Sequence, residues 1–126
     1  MENCNTESYL KDYLQAVEKQ IAHSPIGSLL GIRILSAEEG RLVAEMDAQD
    51  KLLNSLGTIH GGVIASLADA VMGLACGTML KKTSKFTTLE FKINFIKPVI
   101  SGVIIGIGKV QHIGKSSCVS EAEIYD

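Results

Sequence analysis

Residues 60–80 read HGGVIASLADAVMGLACGTML. Ile64, Leu67, Val71, Leu74 and Ala75 recur at spacings of three and four, the period of one helix face. Ser66, Asp69, Gly73 and Cys76 form a second row beside them. The spacing predicts one helix over 59–80, about 30 Å long at 1.5 Å per residue. A helix apolar on most sides is buried on most sides. Its many Ala and Gly residues let other backbone come close. This helix is expected at the centre of the fold, with the rest of the chain wrapped about it.

The flanking segments read as strands. Residues 30–36 (LGIRILS) and 41–48 (RLVAEMDA) are short alternating runs joined by a Glu38-Glu39-Gly40 turn. After the helix, Lys81-Lys82-Thr83-Ser84-Lys85 is a polar loop. Residues 86–98 (FTTLEFKINFIKP) then place Leu89, Phe91, Ile93 and Phe95 on one face and Glu90, Lys92 and Asn94 on the other. That alternation predicts a half-exposed antiparallel strand, ended by Pro98. Residues 102–112 (GVIIGIGKVQH) are apolar on both faces, as in an interior strand, and Gly106 and Gly108 leave one face bare for close approach. A Gly114-Lys115-Ser116 turn leads to a last strand at 117–125 (SCVSEAEIY).

At the other end, Leu10, Tyr13, Leu14, Val17 and Ile21 lie on one stripe of an amphipathic helix over 6–23. Thr6 is its expected N-cap, and Ser24-Pro25 and Gly27 end it. The order is helix, two strands, central helix, three strands, which is α+β with a mostly antiparallel sheet.

The chain has 126 residues, 46% hydrophobic and 21% charged, enough for one folded domain. A net charge of −2 argues against nucleic-acid binding driven by global charge. The charge is uneven: residues 1–80 carry five Lys/Arg against ten Asp/Glu, and residues 81–126 carry seven Lys against four Asp/Glu. Solvated faces explain this; an anionic ligand near the later segments would also. Cys4, Cys76 and Cys118 show no metal-ligand spacing, and an odd count of cysteines in small-residue surroundings predicts free thiols in a reduced, cytoplasmic compartment. MENCNTESYLKDY is not a signal peptide, and the uncharged run Leu52–Ala68 is too polar and short for a membrane span.

Chemistry concentrates in Leu53-Asn54-Ser55-Leu56-Gly57-Thr58-Ile59-His60-Gly61-Gly62 and in Asp69. Two glycines open a helix directly after a histidine. A helix start offers unpaired N–H groups and a positive dipole end, and glycine lets a carbonyl or oxyanion reach them. A tight turn into a helix is the plain alternative. Asp69 lies between Ala68 and Ala70, and no Lys or Arg occurs from 52 to 80. A carboxylate there either bonds nearby backbone or hydroxyl, or serves as general base or nucleophile. Gly61 and Asp69 are eight residues apart, about 12 Å of helical rise. One reacting carbonyl needs donor and base each within about 3–3.5 Å. If both act, Gly61 of one chain must work with Asp69 of another, as in a two-fold dimer.

Asn54-x2-Gly57-x2-His60-Gly61-Gly62-x4-Leu67-x-Asp69, with Lys92-Ile93-Asn94-Phe95 and Pro98, resembles the hotdog-fold acyl-CoA thioesterases of the phenylacetate-pathway type. The resemblance implies a hotdog domain over 29–126, a central helix in a curled antiparallel sheet, preceded by a helix and turn over 1–28. It implies a homodimer, often a dimer of dimers, with acyl-CoA as substrate and the site at the dimer interface. Gly61 would polarise the thioester carbonyl through its N–H, and Asn54 would help orient it. His60 would lie beside the sulfur or brace the loop, and Asp69 of the facing chain would activate water or attack directly. Thr88, with Thr87 as competitor, would hold the water. Leu53 and Gly62 would touch substrate, and Lys85, Lys97 and Lys115 would contact the coenzyme A phosphates, although each is also readable as a solvated lysine. Asn54 is equally readable as a turn residue.

No metal, cofactor, nucleic acid or membrane is called for, and no Gly-x-Ser-x-Gly elbow is present. Two other readings are a non-catalytic acyl-CoA-binding hotdog module and a hotdog hydratase. The joint presence of Asp69, Asn54 and His60 favours hydrolysis. The resemblance also implies one further strand, between 117–125 and 86–98, where this chain stops. Either the sequence is cut short, or the sheet closes directly, or another segment fills the gap; the first is favoured.

Overall fold

The computed structural model describes residues 3–80 and 84–126. Its elements are α1 (Asn3–His23), α2 (Pro25–Leu30), β1 (Arg33–Glu38), β2 (Arg41–Asp47), a single 3-10 turn (Asp50–Leu52), α3 (Gly61–Gly77), β3 (Val103–Ile113) and β4 (Cys118–Tyr125). The strands form one antiparallel sheet in the order β1-β2-β3-β4. α3 lies across one face of it. Of the loop expected at 81–85, Lys81 to Thr83 lie outside the described residues.

The core follows from alternation along the strands. Leu42, Ala44 and Met46 of β2 and Ile104 of β3 point inward and are buried. They meet Leu67, Val71 and Ala75, the row of α3 that the sequence marked as apolar. Gly106 and Gly108 sit under this row. A Cβ on Gly106 would stand 3.1 Å from the Leu67 side chain, and one on Gly108 would overlap the Val71 carbonyl. The bare face of β3 thus seats the helix backbone itself. The β1–β2 turn is tight, with Gly40 in the left-handed region at φ 76°. Its N–H donates to Thr78 Oγ1 (2.7 Å), which pins the hairpin to the end of α3.

Four expectations need correction. First, 86–98 is not a strand: it makes no ladder with any described residue and most of it is exposed. A strand needs a partner edge, and the described sheet ends at β4. The segment instead runs along α3 in the opposite direction, with Phe86 against Gly73 and Phe95 against Gly61. Second, Cys76 and Cys118 are joined by a disulfide, with Cα atoms 6.4 Å apart. The last turn of α3 packs against β4, which brings together residues 42 apart in sequence. The free-thiol argument for a reduced compartment falls away with it. Among the described residues, no helix is long and apolar enough to cross a membrane.

Third, Thr6 lies inside α1 and not at its start. Fourth, Ser24-Pro25 and Gly27 do not only end α1. Ser24 caps α2, accepting from the Gly27 N–H, with Pro25 in its first turn and Gly31 at φ 70° closing it.

α1 is latched to the far end of α3 by two phenols. Tyr9 Oη shares its one proton between the carbonyls of Gly77 (3.0 Å) and Leu80 (2.8 Å), and Tyr13 Oη donates to that of Leu74 (2.7 Å). Burial pushes the Tyr13 hydroxyl well above the usual phenol range of 10.0, and Tyr9 beside it adds to this. A raised folded value gives stability that is fully present below the unfolded value and lost as pH rises through the folded one. Urea unfolding midpoints should therefore fall once pH exceeds 10.0. Tyr13→Phe should flatten that fall and cost about 1 kcal/mol at neutral pH. An unchanged alkaline slope in the variant would show that Tyr13 is not buried against α3.

Candidate active site

The start of α3 is built by the turn before it. Asn54 Oδ1 accepts from the N–H groups of Leu56 (2.9 Å) and Thr58 (3.1 Å), and Asn54 Nδ2 donates to Thr58 Oγ1 (2.9 Å). Every polar atom of that side chain is engaged, so Asn54 shapes the loop. Leu53 and Ile59 then bridge, and His60 enters the helix as its N-cap. His60 Nδ1 accepts the Gly62 N–H (2.9 Å). The imidazole thus braces the helix start, and Gly62 has its donor occupied within the chain.

Gly61 is different. Its N–H, at the first helical position, has no acceptor among the described residues. A cavity of about 280 Å³ opens there, lined by Gly61, Ile64, Phe95 and Lys97 among others. Phe95 lies over Gly61, where an added Cβ would stand 3.2 Å from the ring. The positive end of the helix therefore faces an open, partly apolar space beside a cation.

Asp69 is half-buried two turns further along α3, beside the same 86–98 segment, and among the described residues no cation is bonded to it. Thr88 Oγ1 donates to Asp69 Oδ1 (2.6 Å). Of the two neighbouring threonines, Thr88 is the one whose hydroxyl sits on the carboxylate itself. The second carboxylate oxygen has no partner among the described residues. Asp69 lines another cavity, of about 190 Å³.

The remaining candidates are dispersed. Lys85 and Lys115 are exposed, Lys115 in the β3–β4 turn. Lys97 stands 3.7 Å from Asp126 and reaches the Gly61 cavity. Leu53 packs against the core and lines neither cavity. Sequence reasoning missed Phe95, which was assigned only to a strand face, and the contribution of α1 and α2 to the Asp69 cavity. The signal for the latter was the amphipathic stripe ending at Ile21.

Among known families, residues 56–126 match the thioesterase superfamily. The chain belongs to that superfamily. Acyl-coenzyme A thioesterase PaaI of Escherichia coli is 34% identical over 97 residues, which cover 75% of this chain and 66% of that one. The 1,4-dihydroxy-2-naphthoyl-CoA hydrolase of Listeria monocytogenes is 29% identical over 97 residues, 77% of this chain and 79% of that one. The solved structure of the conserved protein PA5202 from Pseudomonas aeruginosa superposes with a TM-score of 0.81 at 34% identity, over 85% of this chain and 86% of that one. The expected hotdog fold is the fold of this thioesterase, and thioester hydrolysis is its reaction class.

Proposed function

We propose that the protein hydrolyses an acyl-CoA thioester to the free acid and coenzyme A, at a site shared by two copies of the chain. The supporting observation is the separation of the two reactive groups. The free Gly61 N–H and the Asp69 carboxylate line different cavities, about 12 Å of rise apart on one rigid helix. Two α3 helices in antiparallel array would oppose one chain's donor to the other's base twice over. The exposed apolar run beside α3 is consistent with such a partner: Leu89 is 86% and Ile96 94% exposed. The working unit is then a homodimer, with a dimer of dimers as the larger form.

In this reading Asp69 takes a proton from water as the water oxygen attacks the thioester carbonyl carbon. The developing oxyanion meets the Gly61 N–H of the other copy, in line with the dipole of that helix. Collapse expels the coenzyme A sulfur, which the Asp69 proton neutralises. Thr88 keeps the carboxylate aimed. His60 and Asn54 hold the donor in place, and Lys97, Lys85 and Lys115 attract the coenzyme A phosphates.

A proline tests the donor without breaking the helix. His60 sits at φ −58° and ψ 133°, a conformation that precedes proline well, and the first helical position tolerates proline. Gly61→Pro should lower kcat about 10²–10³-fold, the usual cost of one oxyanion donor. Gly61→Ala retains the N–H and should be milder. A doubly tagged heterodimer of Asp69→Asn and Gly61→Pro should regain about half the wild-type rate, since one of its two sites is intact. A heterodimer as inactive as both parents would place the whole site within one chain.

A further inference from the structure

The cavity at Asp69 has walls from two parts of the chain. Ile21 at the end of α1, Ile26 and Leu30 of α2, and Ile32 form one side. Ser66, Asp69 and Ala70, neighbours on one face of α3, form the other. The hydroxyls that line it are turned back on backbone. Ser66 Oγ donates to the Gly62 carbonyl (2.8 Å), and Ser24 Oγ accepts the Gly27 N–H (3.1 Å). Among the described residues, Asp69 is the one charged side chain on its walls. Gly27 allows α2 to press on the last turn of α1, because a Cβ there would collide with the Ile21 carbonyl. The shape is therefore set by packing and not by a loose loop.

We infer that this groove receives the acyl group of the thioester, and that Ile21 and Ile26 set the length it accepts. The inference rests on the hydrolysis proposed above. An apolar slot with a single carboxylate on its wall suits an uncharged group whose one end carries the carbon under attack. With the acyl group in the groove, its carbonyl comes to lie at Asp69 of the same chain, and the sulfur points outward toward the partner's helix start. The volume limits the occupant. An apolar cavity of about 150 Å³ takes one benzene ring, and this one holds about 190 Å³. It fits a single aromatic ring or an aliphatic chain of about six carbons. The residues that determine specificity then lie in the N-terminal helices, outside the sheet and α3.

The test is a ladder of acetyl-, hexanoyl-, benzoyl- and dodecanoyl-CoA with wild type and two variants. Ile26 is 56% exposed, so Ile26→Trp fills the groove without disturbing the core. Wild-type kcat/KM should rise at least about tenfold from acetyl to hexanoyl and benzoyl, then fall at dodecanoyl. Ile26→Trp should cut hexanoyl and benzoyl turnover about tenfold and leave acetyl within about twofold. Ile21→Ala with Ile26→Ala should raise the dodecanoyl rate. If Ile26→Trp scales all four substrates alike, or none, the assignment is wrong.

Calorimetry with the matching non-hydrolysable thioethers separates this idea from the hydrolase reading. Should wild type cleave none of the thioesters, hydrolysis fails as the function. Thioether affinity that tracks chain length and drops about tenfold in Ile26→Trp still supports the groove. Affinity independent of chain length overturns it.

Discussion

Asp69→Asn should lower kcat for acyl-CoA hydrolysis by about 10³, within the range carried by a positioned general base, while KM changes less than about threefold. The amide is nearly isosteric with the carboxylate. Its oxygen can still accept from Thr88 Oγ1, now 2.6 Å from the carboxylate, so α3 and the adjoining segment keep their places. What disappears is the capacity to take a proton. The loss should therefore fall on kcat. A shared drop in kcat and stability would mean that Asp69 matters to folding, which a urea titration at the same protein concentration detects. A purified Asp69→Asn variant that keeps a tenth or more of wild-type turnover would remove Asp69 from the chemistry.

The largest effect on stability is expected at Gly108. A side chain there meets backbone on the facing helix: the Val71 carbonyl and, at 3.0 Å, the Met72 nitrogen. Neither can rotate away, so α3 must lift from β3. Overpacking of this kind typically costs 1–3 kcal/mol, and a clash with helix backbone lies at the upper end or beyond. Gly108→Val should lower the urea midpoint by about 1 M or more, given m-values of about 1–3 kcal/mol/M. Gly106→Ala is the control, because its nearest neighbours are side-chain atoms of Ile124, Leu67 and Val71 at 3.1–3.2 Å and not helix backbone, so the required shift is a few tenths of an ångström. Equal, small effects at both glycines would show that the helix does not rest on β3 as described.

The central features were legible because they are local. The 3.6-residue period of 60–77 marked α3, and bare glycines in an apolar strand marked where it sits. The 86–98 run misled for a physical reason. Alternation describes which face a side chain would take, whereas a strand exists only when an edge bonds to it. Ser24-Pro25-Gly27 misled in another way, since the residues that stop one helix are also those that start the next.

The site divides along the same line. That a donor and a carboxylate eight residues apart, about 12 Å of rise along one helix, cannot share one carbonyl follows from helical rise alone. That Asn54 and His60 are engaged by their own loop required the fold, as did the meeting of Cys76 with Cys118 across 42 residues.

The phenol latch has a further consequence. The carbonyls that Tyr9 and Tyr13 hold are those of Leu74 and Gly77 in the last turn of α3 and of Leu80 just beyond it, which the phenols bond in addition to the chain's own closing Thr78 and Leu80 N–H groups. α1 therefore reinforces the end of a helix to which it is not adjacent in sequence. The same α1 carries Ile21 to the groove beside Asp69. Detachment of α1 would strip the end of α3 and open that groove in one local unfolding event, so the fraying of one region and the shape of the other share a single free energy.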